Sequence, residues 1–215
     1  SQSKVDLNMR YPKIRELIEA VKSLLSRPYT SKFPYKPLEP AKRFRGKPEY
    51  SNEGCIGCKA CAEVCIGRVI EAKDVITKDK ATRKMILHLD ECHYCGQCSA
   101  LCTTRDDDPP GIKHTTKFDL SSFDRRDMVS TTDEKELALC EACSAVVTTK
   151  AHLDWLAKKL GPLAFSNPTL FVASLKNMGF SDDVLQNMKE GLLQRSDRIK
   201  VLCSKCRRSA TIEKF

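Results

Sequence analysis

The sequence holds no run of about 18 apolar residues, the length a helix needs to cross a bilayer. Its N-terminus lacks the apolar stretch expected of a secretory leader. There is no G-x-G-x-x-G fingerprint, no phosphate-cradling P-loop and no G-x-S-x-G elbow, which removes the dinucleotide, nucleoside triphosphate and serine-hydrolase readings. Aromatic residues are scarce at 7%, with one Trp. His88, His93, His114 and His152 are scattered and read as surface or supporting residues. Asp106, Asp107 and Asp108 stand before two prolines and read as a solvated loop rather than an acid–base pair. Nothing marks a substrate pocket.

Against these absences stands one excess, 12 cysteines in 215 residues. Cys55, Cys58, Cys61 and Cys65 form one C-x2-C-x2-C-x3-C run, and Cys92, Cys95, Cys98 and Cys102 form another. The two runs repeat at a constant offset of 37 residues. The other four are two C-x2-C pairs, Cys140 with Cys143 and Cys203 with Cys206. Six disulfides would also use every cysteine, but disulfide-dense chains are small, secreted and poor in core. Metal ligation is the better reading for a chain of this size with several helical segments.

The doubled run is the spacing that holds two four-iron clusters. In that motif three close cysteines wrap one cluster and the fourth reaches the other. One [4Fe-4S] cluster is therefore expected on Cys55, Cys58, Cys61 and Cys102, the second on Cys92, Cys95, Cys98 and Cys65. Gly57, Ala60, Gly96 and Ser99 keep the loops small enough for backbone N–H groups to approach the sulfides. The split pairs make a four-thiolate site with no open position, hence a structural zinc; a rubredoxin-like iron uses the same ligands. With 59 residues between Cys143 and Cys203, such an ion would close a long loop around a small helical module.

The formal charge is +9, and residues 1–50 carry 12 Lys and Arg against 5 Asp and Glu. Metal binding deprotonates the thiols, so three occupied sites bring the total to roughly +3. The basic excess is thus partly compensation, and no nucleic-acid role is expected.

Five segments follow. Residues 1–27 are an amphipathic docking helix: Ile14, Leu17, Ile18, Val21, Leu24 and Leu25 form one stripe over 11–26, with Pro12 in the first turn. Residues 28–51 are a strap with five prolines interleaved with aromatics, extended rather than helical. Residues 52–118 are the two-cluster domain, each half with a cluster loop and a short helix around its fourth cysteine. A hairpin lies between the halves (74–79 and 83–89), and 112–118 is a last strand. Residues 119–139 are a linker, with a short helix at 134–139. Residues 140–215 are the metal-clipped helical module, with helices at 150–160, from Asn167-Pro168 to Gly179, and at 181–194, and a short strand at 199–202. Trp155, Leu156, Leu160, Leu170, Phe171, Leu175, Leu185 and Leu192 form its core. The fold class is α+β: a bacterial-type two-[4Fe-4S] ferredoxin fold with an N-terminal helix and strap and a C-terminal helical module built on a four-cysteine zinc site.

The stretch 25–50, with its Arg43-Phe44-Arg45-Gly46 element, followed by the double cysteine run, resembles the two-cluster iron–sulfur subunit of respiratory complex I and its relatives. The CEAC and CSKC pairs are similar to the extension on the matching subunit of formate hydrogenlyase and related membrane-bound nickel–iron hydrogenases. The resemblance implies a peripheral, non-catalytic subunit on the cytoplasmic face of the cell membrane, whose helix lies along a membrane subunit. Its clusters would pass electrons between ferredoxin or a small iron–sulfur subunit and a catalytic large subunit. A complex I-like NADH, deazaflavin or ferredoxin dehydrogenase, or a sulfur-reducing version, fits the same resemblance. A free-standing ferredoxin with a zinc-stabilised interaction module is the reading of another class. Many family members have Pro after each fourth cysteine; Ile66 and Thr103 stand there in this chain.

Overall fold

The computed structural model describes residues 13–77, 80–179 and 200–212. The chain divides into two compact units, residues 1–41 and 42–215. In the first, helix α1 spans Ile14–Leu25, with the Glu16 carboxylate accepting from the Lys13 N–H at 3.1 Å, a reciprocal first-turn bond. No residue of α1 is buried; Ile14 and Leu24 are 77% and 85% exposed. Residues 27–41 contain turns but neither helix nor strand, as their prolines require. Pro12 lies outside the described residues.

The second unit begins within the strap. Strand β1 (Pro48–Tyr50) pairs antiparallel with β4 (Ile112–His114). Gly46 and Lys47 continue the pairing by donating N–H groups to Thr115 and Lys117 carbonyls. Gly46 has to be glycine, since a Cβ would sit 2.2 Å from the Lys117 carbonyl oxygen. Phe44 meets Phe118 edge-on at 6.0 Å. The Arg-Phe-Arg-Gly element is thus part of the cluster domain, and 115–118, expected as strand, is the irregular continuation of β4.

The expected hairpin forms between β2 (Ile70–Ile76) and β3 (Ala81–His88). Single-turn helices α2 (Ala60–Glu63) and α3 (Gln97–Ala100) carry the third cysteine of each run. They end before the fourth cysteine, around which the sequence predicts helix. One core holds Cys55, Cys61, Cys98, Val69, Ile70, Met85, Leu87, Leu89 and Ile112, with Cys65, Cys92 and Cys102 packed against it.

The region expected as a linker is not one. β5 (Val129–Thr131) pairs with β3, and so does β6 (Lys135–Leu139). β7 (Val146–Thr149) extends the sheet beyond β6, which gives the order β2-β3-β6-β7. The helix expected at 134–139 is absent. These residues are strand because β3 offers an open edge, and Leu137 and Ala138 are buried there. The C-terminal module is therefore continuous with the ferredoxin-like sheet.

α4 (Lys150–Leu160) starts at Thr149 and stops at Gly161, whose φ of 55° ends the helix. α5 (Pro168–Asn177) starts at Asn167, whose side chain accepts from the Thr169 and Leu170 N–H groups. Both starts and stops agree with the sequence reading. Ala138, Leu153, Ala164 and Leu170 form the module core, flanked by Leu156; Leu160 is exposed. α6 spans Ser204–Ile212. Residues 201–203 are irregular rather than strand. The helix expected at 181–194, with Leu185 and Leu192, lies outside the described residues. No helix among the described residues is long and apolar enough to cross a membrane.

Candidate metal centres

The eight cysteines of the doubled run gather around two spaces, and each space draws on both runs. Cys55, Cys58, Cys61 and Cys102 line one, with Tyr50, Met85 and Ile112 beside them. Cys65, Cys92, Cys95 and Cys98 line the other, with Val69, Leu87 and His114. The fourth cysteine of each run crosses over because α2 and α3 are too short to carry it away from the opposite loop. All twelve cysteines are free thiols.

The two loops share one backbone. Gly57 and Lys59 have φ of 65° and 70°, and their counterparts 37 residues on, Tyr94 and Gly96, have 52° and 82°. Left-handed conformation thus recurs at both positions of both loops, with glycine at only one position in each. The loops differ in what covers them. The Thr149 hydroxyl, fully buried at the start of α4, donates to the Ile56 carbonyl. A Cβ on Gly57 would stand 2.9 Å from the Thr149 methyl. Arg83, its side chain 4% exposed, donates to the Gly57 carbonyl at 2.9 Å and grips Asp74 through two nitrogens at 2.6 and 2.9 Å. Trp155 and Lys159 of α4 donate to the Asp107 carboxylate at 2.6 and 2.7 Å. Asp107 is therefore an anchor for α4 rather than a purely solvated residue, and those two donors, Lys159 foremost, hold its carboxyl below the usual range. Over the second loop lies Arg45, exposed, donating to the Cys95 carbonyl at 2.7 Å; Cys95 itself is exposed.

Burial pushes the Cys61 thiol up to about 12 and the Cys98 thiol up to about 11. Without metal these sulfurs hold their protons, and a bound metal must displace them. Burial also raises the Tyr50 phenol well above its usual value, so Tyr50 stays a donor. Its oxygen is 3.6 Å from the Cys61 sulfur.

The third set has a different geometry. Cys140, Cys143, Cys203 and Cys206 place their sulfurs all within 4.8 Å of one another, and Cys143 and Cys203 are 3.6 Å apart. A tetrahedral zinc with bonds near 2.3 Å sets its sulfurs roughly 3.8 Å apart. Among the described residues the other two sets do not meet that limit. A cubane between its thiolates needs them further apart, so the donor sets fit one small ion and two larger groups. The buried His114 Nε2, orphaned among protein groups while Nδ1 meets the Gly46 carbonyl at 2.8 Å, lines the second space. A group bound in that space would give the ring nitrogen a partner.

Turn 140–145, between β6 and β7, closes with Ser144 and Cys140 backbone bonds of 2.8 Å. Cys206 lies in the first turn of α6, which Arg207 ties to Thr169 of α5 at 2.7 Å. Burial raises the Cys140 thiol, but N–H groups of Cys203, Ala142 and Cys143 outweigh it and bring it down to about 6. Amide donors that stabilise a thiolate prepare it for a cation. The sequence points to all twelve cysteines. It does not point to Arg83 or Thr149, whose contacts span 26 and 93 residues, and it marks Arg45 only as part of the Arg43–Gly46 element, not as the cover of the second loop 50 residues on.

Residues 54–105 match the family profile of the 4Fe-4S dicluster domain. NAD(P)H-quinone oxidoreductase subunit I of Gloeobacter violaceus is 30% identical over 105 residues, 47% of this chain and 48% of the relative. Formate hydrogenlyase subunit 6 of Escherichia coli is 28% identical over 128 residues, 59% of this chain and 66% of the relative. The chain spans about half the length of the first of these curated relatives. The solved structure of a membrane-bound sulfane sulfur reductase, an archaeal respiratory membrane complex, aligns at a TM-score of 0.38 and 23% identity, over 59% of this chain and 65% of that one. At that score the likeness bears on neither fold nor function. Residues 54–105 are thus similar to a 4Fe-4S dicluster domain, and the chain is similar to NAD(P)H-quinone oxidoreductase subunit I and to formate hydrogenlyase subunit 6.

Proposed function

We propose that this chain is a non-catalytic electron-transfer subunit of a membrane-associated oxidoreductase. The observation that carries the reading is the crossed gathering of eight cysteines around two spaces within one core. Cys55, Cys58, Cys61 and Cys102 would hold one [4Fe-4S] cluster, and Cys92, Cys95, Cys98 and Cys65 the other. Bound there, the clusters supply one-electron relay; the chain fixes their separation, insulates the first loop and leaves the second near the surface. Cys140, Cys143, Cys203 and Cys206 would hold a structural zinc.

The α1 stripe supports attachment to a larger assembly. A helix with a whole apolar face exposed, followed by a strap with exposed Tyr29 and Tyr35, suits a membrane surface or a membrane subunit, on the cytoplasmic side. A free-standing ferredoxin has no use for either. The formate hydrogenlyase-type assembly is favoured because the match to its subunit 6 covers more of the chain than the match to the quinone oxidoreductase subunit, and because the four-cysteine extension resembles that type. The partners would be a nickel-containing large subunit, a small iron–sulfur subunit and a membrane subunit.

The test is affinity purification of the full chain from membranes of its source organism. The expected product is an assembly containing nickel. Flavin and nicotinamide oxidation in place of nickel would move the reading to a complex I-type dehydrogenase, and a monodisperse monomer would overturn it. Removing residues 1–41 should release the chain from membranes with its iron retained. The cut stops there because Gly46 to Tyr50 belong to the cluster domain.

A further inference from the structure

Two hydroxyls stand beside the first set of cysteines and, among the described residues, have no counterpart beside the second. Thr103 Oγ1 is 3.1 Å from the Cys58 sulfur, bridging 45 residues, and Tyr50 Oη is 3.6 Å from the Cys61 sulfur. Against a metal-bound thiolate, which has no proton, the hydroxyl must be the donor in each pair. Thr104 also lies near a ligand, 3.4 Å from the Cys102 sulfur. Its single proton, however, goes to the Gly54 carbonyl at 2.9 Å, so it is not a donor to sulfur.

The 37-residue offset identifies the matching positions beside the second set. The counterpart of Thr103 is Ile66, 76% exposed, and that of Tyr50 is Leu87, 1% exposed and lining the second space. Neither side chain has a proton to donate. Among the described residues the donors that reach sulfurs of the second set are backbone groups, the Tyr94 N–H, 3.4 Å from Cys92, and the Ser99 N–H at Cys98. His114 carries no hydroxyl; its Nδ1 meets the Gly46 carbonyl and its Nε2 has no partner among protein groups.

We propose that Thr103 and Tyr50 are potential-setting residues for the cluster on Cys55, Cys58, Cys61 and Cys102 alone. This rests on the two-cluster reading above. Adding one electron to a four-iron cluster raises its negative charge by one unit; no bond breaks and no proton moves. An O–H aimed at a ligand sulfur stabilises the more negative state more than the less negative one, and so raises the reduction potential. Thr103 stands where proline is usual in the family the sequence resembles, and proline has no group that could do this.

The test is an EPR-monitored redox titration of the purified full chain with both clusters in place, checked first by iron and sulfide content. In Thr103→Val, one of the two cluster potentials should fall, with about a tenfold loss in its one-electron reduction equilibrium, ~59 mV. The other should stay. Thr103→Ser should restore the wild-type value, and Tyr50→Phe should lower the same cluster again. Ile66→Thr keeps the proposal testable should the valine variant lose its cluster, since the added hydroxyl should raise the other potential. Unmoved potentials in every variant, or equal shifts of both clusters, overturn the proposal. Absence of two clusters in the wild-type chain would instead sink the two-cluster reading.

Discussion

The two halves of the doubled cysteine run share spacing, backbone conformation and a crossed fourth cysteine, yet sit in opposite surroundings. The first loop is roofed by Thr149 and underpinned by buried Arg83. The second lies at the surface under exposed Arg45, with Cys95 exposed. Spacing brings the thiols to each loop. The elements packed outside the loop settle charge, access and donors, and these come from residues far away in sequence. A repeat of identical loops gives no difference between two sites by itself. The sheet extension β6–β7 and helix α4 create one by covering one loop only.

The largest effect should come from breaking the crossing. Cys102→Ala belongs to the second run but should remove the cluster of the first, with roughly half of the iron lost. Thr103→Val should then leave the surviving signal unmoved. In Cys65→Ala the surviving signal should still respond to that valine. Iron analysis with EPR separates these outcomes from an uncrossed arrangement.

Next in size is removal of the third metal. Opening the site between Cys140 and Cys206 frees a loop of about sixty residues, and a cross-link of that span is worth roughly 4 kcal/mol in the loop-closure account. Zinc chelation should lower the thermal midpoint and, by loosening the roof, speed oxygen bleaching of the first cluster more than the second. Equal bleaching would show that the module insulates neither.

The Arg83–Asp74 pair comes third. Asp74→Asn leaves a buried guanidinium short of its counter-charge and should cost about 2–3 kcal/mol, below the usual buried-pair figure because Asp74 is partly exposed. Arg83, through hydrogen bonds and its charge, holds the Asp74 carboxyl below the usual range. The pair's contribution is therefore complete above about pH 4 and lost as pH falls through the lower folded value. Denaturant melts across acid pH should show this slope in wild type and not in Asp74→Asn.

The smallest effect compares the glycines. Gly57→Ala meets the left-handed backbone penalty and the Thr149 methyl at 2.9 Å, and should cost about 2 kcal/mol. Gly96→Ala meets only the flexible Arg45 side chain at 3.5 Å and should cost about 1 kcal/mol. Equal costs would mean that the roof over the first loop yields freely.

The two cysteine runs, the β2–β3 hairpin and the ends of α4 and α5 are legible in the sequence because each rests on residues close together in it: cysteine spacing, alternation, Asn167-Pro168 and Gly161. Lys135–Leu139 reads as helix because five residues carry no decisive period; the open edge of β3 decides it. Val129–Thr131 hides in a polar stretch for the same reason. Asp107 looks solvated because its partners, Trp155 and Lys159, lie about fifty residues on. Thr103 is visible as a departure from the family pattern, but only the fold brings it to Cys58.

Quantifying iron, acid-labile sulfide and zinc together in the purified full chain tests the account most directly. About eight iron, eight sulfide and one zinc per chain are predicted. About four iron, no labile sulfide, or a ninth iron with no zinc would contradict two cubanes beside one structural zinc.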